Sequence, residues 1–146
     1  MSDRAALLAR AKAEANPQLL CEVVPIARLM GMQASLVGDA EDTVSLTMPF
    51  IERLGGNMAV PAIHGGALAT LMETAALLTG IWQSGANART ITITVDYLRP
   101  AFLAETTATC VVLRKGRRVV SVQVTAAQGD RLVSAARVHM MLDAAG

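Results

Sequence analysis

Between residues 60 and 82 the chain reads Val-Pro-Ala-Ile-His-Gly-Gly-Ala-Leu-Ala-Thr-Leu-Met-Glu-Thr-Ala-Ala-Leu-Leu-Thr-Gly-Ile-Trp, and from Gly65 to Ala88 its only charged residue is Glu73. Apolar side chains fall in nearly every direction around a period of about 3.6 residues. A helix that is apolar all round is buried rather than laid on a surface. Pro61 and the pair Gly65-Gly66 punctuate its entry, and Gly85 and Asn87 its exit. The stretch therefore predicts a central helix wrapped by the rest of the protein, with one carboxylate inside. A buried carboxylate without a partner is costly, so Glu73 needs either a partner or a function.

A chain of 146 residues is long enough for one domain with a real core. Hydrophobic residues make up 53% but aromatics only 3%, so that core must be built from Val, Leu, Ile, Ala and Met. Thirteen basic residues against 12 acidic ones leave a formal net charge of +1, which points to no nucleic-acid or membrane partner. Cys21 and Cys110 lack a C-x-x-C or metal-ligand spacing and read as buried thiols, so no metal or cofactor is implied. The N-terminal residues lack the apolar region and cleavage site of a signal peptide. His64 and Glu73 interrupt the longest apolar run, which excludes a membrane-spanning helix there. The expectation is a soluble, cytoplasmic protein.

Residues 3–15 are Ala/Leu-rich with charges interspersed, and they stop before Asn16-Pro17, as an amphipathic helix would. Residues 19–30, interrupted by Pro25, read as a short helical connector. The period then changes. Residues 32–37 and 43–48 alternate around a polar loop and predict a hairpin. After the central helix, residues 90–97, 105–113, 119–126 and 132–142 alternate again, separated by Arg99-Pro100, Lys115-Gly116-Arg117 and Gly129-Asp130. Strands joined by tight turns predict an antiparallel meander. The fold class is α+β: one antiparallel sheet of five or six strands covering a long helix, with residues 1–30 as an N-terminal helical extension and 31–146 as the main domain. One curved sheet covers only some sides of an all-apolar helix. A second subunit is the natural cover for the rest.

His64-Gly65-Gly66 stands where the helix starts. Backbone N–H groups of a first turn have no intrahelical partner and lie at the positive end of the dipole. Glycine lets another group approach them closely. Such a turn can bind a carbonyl oxygen that is acquiring charge, or it can be a plain glycine turn with a neutral histidine bonded at the helix start. Gly65 and Glu73 are separated by about 12 Å of helix at 1.5 Å per residue, so within one chain they cannot act on one carbonyl. Two antiparallel copies of the helix across a twofold axis bring Glu73 of one chain to Gly65 of the other. An ion pair of Glu73 with Arg89 or Arg99 is the structural alternative.

The order His64-Gly65-Gly66, Glu73 on the following helix, Val95-Asp96-Tyr97-Leu98-Arg99-Pro100 and then Arg114-Lys115-Gly116-Arg117-Arg118 resembles the hot-dog-fold acyl-CoA thioesterases of the phenylacetic-acid-degradation (PaaI-like) type. The resemblance covers residues 31–142. It implies a sheet wrapped around one helix, a homodimer or dimer of dimers, and hydrolysis of an acyl-CoA to the free acid and CoA. By the same resemblance the Gly65 N–H polarises the thioester carbonyl and His64 holds the turn or the substrate. Glu73 of the partner attacks the carbonyl or activates water, and Asn57 lies near the water or thioester. Gly66, Met58, Met72 and Leu77 then line the substrate site, and Lys115, Arg117 and Arg118 meet the CoA phosphates. Some relatives carry Gln at position 58 and Ser or Thr at position 77, where this chain has apolar Met and Leu. A non-catalytic acyl-CoA or acyl-ligand binding protein on the same fold is the alternative reading. A hydratase is disfavoured, because its longer spacing between His and the helical carboxylate is absent.

Overall fold

The computed structural model describes residues 3–40, 42–56 and 59–143. In chain order the described residues form helices α1 (Asp3–Ala13), α2 (Gln18–Cys21) and α3 (Pro25–Leu29), then strands β1 (Gln33–Val37) and β2 (Thr43–Met48). The long helix α4 (Gly65–Ser84) follows, and then β3 (Ala88–Tyr97), β4 (Thr106–Lys115), β5 (Val119–Gln128) and β6 (Arg131–Leu142). Pro25 starts α3, where a missing N–H costs nothing. Gly85 ends α4 in the left-handed conformation, φ 73°, that only glycine adopts freely.

The six strands form one antiparallel sheet in the order β1-β2-β4-β5-β6-β3. The hairpin expected at 32–37 and 43–48 is present, as are strands at all four later positions. The simple meander is not. β3 does not pair with β4 but lies at the far edge against β6, with Ile93 opposite Val138 and Val95 opposite Ala136. The reason lies in residues 98–105, which make no tight turn. The Leu98 and Arg99 N–H groups both donate to Val133 O, and the Ala101 carbonyl accepts from Ile63 N–H at 2.9 Å. The link is thereby led across the end of the sheet, past the entry to α4.

Alternation decides which face of the sheet meets the helix. On β5, Val120, Val122, Val124 and Ala126 are buried, whereas Ser121, Gln123 and Thr125 are half-buried on the opposite face. The inner face packs on Leu71, Met72, Ala75, Ala76 and Leu78 of α4 in one core. Ala11, Leu20, Cys21, Ala27 and Met30 of the N-terminal extension join that core. Bulges between Thr90 and Thr92, Val112 and Arg114, and Ala126 and Ala127 bend the sheet around the helix. α4 is nevertheless left open on one side. Ala69, Glu73, Leu77 and Ile81 form a half-exposed stripe down its length, the uncovered side expected from the sequence.

Thr79, fully buried, ties the helix to the sheet where β2 leaves β4. Its Oγ1 accepts from Val44 N–H at 2.9 Å and donates to Val44 O at 3.2 Å. Thr79→Val keeps the shape and strands both backbone groups in the core. At roughly 1–3 kcal/mol for each unsatisfied group, the variant is expected to lose about 3 kcal/mol of stability. A Tm lowered by roughly 10 °C in a thermal melt is the corresponding reading. An unchanged Tm would mean that Val44 bonds elsewhere.

Candidate active site

The entry to α4 is a turn clamped from three sides. Leu54 O accepts from His64 N–H at 2.7 Å, Ala62 O accepts from Gly56 N–H at 2.8 Å, and isolated bridges join Gly55 to Ile63 and Ala62 to Phe102. Gly56 is required by this packing, since a Cβ there would stand 2.6 Å from His64 Cα. His64 is the N-cap of α4, and its Nδ1 accepts from Gly66 N–H at 2.8 Å. That bond needs Nδ1 without its proton. The imidazole thus bonds within the turn itself.

The Gly65 N–H, in contrast, has no hydrogen-bond partner among the described residues. It is the first amide of a 20-residue helix and lies at the positive end of the dipole. Its neighbourhood includes a residue that the sequence motif held only as support for the resemblance. Tyr97, at the end of β3, donates its hydroxyl proton to Gly65 O at 2.9 Å. A Cβ on Gly65 would lie 3.0 Å from the Tyr97 ring. Tyr97 is therefore packed against the Gly65 peptide and bonded to its carbonyl. Nothing in the local sequence signals this contact, because 32 residues separate the two groups.

Glu73 lies two turns along α4, half-buried rather than inside as expected, because the sheet leaves that stripe uncovered. The ion pair with Arg89 or Arg99 does not form. Arg89 contacts Met141 Sδ, and Arg99 Nη1 donates to Leu132 O at 2.9 Å. Among the described residues the one ion pair is Arg10–Glu14, an exposed i,i+4 pair. The Glu73 carboxylate is unpaired among the described residues, one turn from half-exposed Leu77. Met72 is different: it is wholly buried in the core and is not among the residues lining the cleft at the His64 turn. Asn57 and Met58 lie outside the described residues.

The basic turn is not brought to Gly65 within one chain. Lys115 Nζ donates to Gln83 O at 2.8 Å, at the C-terminal end of α4, where a cation suits both the unsatisfied carbonyls and the dipole. Gln83 is about 27 Å along the helix from Gly65. Arg117 and Arg118 are exposed beside that end. A cleft of about 590 Å³ opens instead at the His64 turn, lined by Ile26, Leu29 and Met30, by Ile51, Arg53, Leu54 and Gly55, and by His64, Gly66, Ala67 and Thr70. The sequence carried no signal for this wall, because the first 30 residues fell outside the motif. Both thiols are buried and remote in role: burial pushes Cys21 and Cys110 up to about 11. No helix among the described residues is long and apolar enough to cross a membrane.

The family model described as "Thioesterase superfamily" matches residues 61–135, just over half of the chain. The chain belongs to the thioesterase superfamily. The match begins at the His64 turn and contains α4, Tyr97 and the sheet strands β3 to β5. Among solved structures, this superfamily member is similar to the Escherichia coli PaaI protein of the phenylacetic acid degradation operon, at 24% identity and TM-score 0.78, over 94% of this chain and 96% of that one. It is similar also to the Haemophilus influenzae thioesterase HI1161, at 23% identity and TM-score 0.76, over 88% and 89%. A Chromobacterium violaceum protein shares 27% identity at TM-score 0.70, over 95% and 98%. These likenesses show the hot-dog fold over nearly the whole chain. No curated protein matches it significantly.

Proposed function

We propose that this superfamily member is an acyl-CoA thioester hydrolase of the PaaI type, acting as a homodimer or dimer of dimers with each site shared between two subunits. The observation that carries the reading is the Gly65 N–H at the start of α4, without a hydrogen-bond partner among the described residues, with Glu73, unpaired among them, on the uncovered stripe of the same helix. About 12 Å of helix separates them, too far for one carbonyl. Antiparallel pairing of two α4 helices about an axis near Ala69 sets Glu73 beside Gly65 of the partner subunit. Ala69 and Gly66 are small enough to let the helices approach. The same pairing covers the half-exposed stripe and carries the partner's basic turn toward the Gly65 end of α4.

Thioester hydrolysis follows from that geometry. The thioester carbonyl accepts from Gly65 N–H, and Glu73 either attacks its carbon or takes a proton from attacking water. In both cases negative charge builds on the former carbonyl oxygen and falls on the helix dipole. Collapse breaks the C–S bond and expels CoA as its thiolate; attack by water leaves the acid directly, whereas attack by Glu73 leaves a mixed anhydride that a water molecule then hydrolyses to the acid. A panel of acyl-CoA esters with a thiol reagent tests this directly, because the protein's own buried thiols stay silent and the signal reads CoA. The expected result is steady CoA release. Binding of the esters without release would favour an acyl-CoA-binding protein.

A further inference from the structure

We propose that the cleft at the His64 turn holds the acyl group of the thioester, and that the group is a straight aliphatic chain whose length α3 limits. The inference rests on the thioesterase reading and adds the substrate class to it. His64, Gly66 and Ala67 line the cleft, so it opens from the same turn that presents the Gly65 N–H. A carbonyl placed there has its acyl substituent at the cleft mouth. The walls are Ile26, Leu29, Met30, Ile51 and Leu54, aliphatic or thioether throughout, with no Phe, Tyr or Trp to stack on a ring. A volume of about 590 Å³ lies within the range of small-molecule sites.

α3 is built as a fixed wall with an apolar outer edge. Pro25 sets its start, and Ala27 and Met30 sink into the core at 0% and 4% exposure. Ile26 and Leu29, on the cleft side, remain 39% and 74% exposed. Apolar residues left in water beside a cleft that adjoins a reactive turn mark a ligand groove. Arg53, exposed, is the lining's only formally charged side chain, and the aliphatic walls favour an alkyl chain.

The test uses the full chain and straight-chain CoA esters from acetyl to dodecanoyl. kcat/KM is expected to rise about fourfold for each methylene that enters the cleft, then level off once it is full. Octanoyl-CoA is expected to surpass phenylacetyl-CoA, which has the same number of acyl carbons. Ile26→Trp, which fills the cleft, should move the optimum to shorter chains, and Leu29→Ser, a surface change, should flatten the rise. Leu113→Ser, on the outer sheet face, should leave the profile as it was. Calorimetric binding of free alkanoates should show the same length dependence without any chemistry. A flat profile, a preference for phenylacetyl-CoA, or a profile unmoved by both α3 variants would overturn the inference while hydrolysis itself persists. If no ester is hydrolysed at all, the thioesterase reading fails. Decanoate binding that exceeds butanoate binding and is lost in Ile26→Trp would then still support the cleft, and length-independent binding would overturn it.

Discussion

Replacing Glu73 by glutamine is expected to lower kcat by a factor of at least about a hundred, the low end for losing a positioned base. Glutamine keeps the shape and hydrogen-bonding reach of the side chain and removes only its charge and basicity. The structure leaves few other uses for that charge. Among the described residues Glu73 makes no ion pair, and Arg89 and Arg99 are turned to Met141 and Leu132. The stripe around it offers Ala69, Leu77 and Ile81, so little in the chain itself requires an anion there. Binding of a non-hydrolysable acyl-CoA analogue should survive, because the amide leaves the pocket filled. Steady-state kinetics beside a thermal melt separate the outcomes. Turnover retained with a lowered Tm or a dissociated oligomer would make Glu73 a structural residue and favour the binding-protein reading.

Gly65→Pro is expected to lower kcat by about a hundred- to a thousandfold, the cost of deleting one oxyanion donor. Proline removes the N–H and fits the backbone of this position. Gly65 is the first residue of α4, where proline's missing donor is one of the helix's orphans. His64 before it is already extended, at φ −60° and ψ 134°, the region that a following proline requires. The added ring carbons press on Tyr97, whose side chain is exposed and can shift. Circular dichroism should therefore show an intact helix, and the loss should fall on kcat more than on KM. Full activity would place the oxyanion elsewhere.

Much of this was legible in the sequence, for identifiable reasons. The stretch from Gly65 to Ala88 with Glu73 as its only charge marked α4, and the alternation of Val120, Val122 and Val124 against Ser121, Gln123 and Thr125 marked the face of β5 that meets it. Alternation assigns faces, however, and not neighbours. That β3 crosses to pair with β6 depends on backbone bonds from Leu98, Arg99 and Ile63, which carry no side-chain signature. Glu73 was expected inside because the helix is apolar all round, but the sheet leaves one stripe of it uncovered and with it the carboxylate half-exposed. The His-Gly-Gly motif located the turn. Its clamps, Tyr97 on Gly65 O and Gly56 against His64, join residues far apart or depend on the lack of a side chain. Lys115 read as a phosphate contact because it sits in a basic turn, and the structure turns it onto the end of α4.

The shared site is the central claim, and complementation between two inactive subunits tests it most directly. Glu73→Gln and Gly65→Pro chains, each inactive alone, are co-expressed and the mixed oligomers purified through different tags. If Glu73 of one subunit serves Gly65 of the other, each mixed dimer holds one site with both residues intact and one with neither. A randomly assorted pool should then recover about a quarter of wild-type activity, and the purified mixed dimer about half. Activity in the mixed dimer no greater than that of either parent variant would contradict the account.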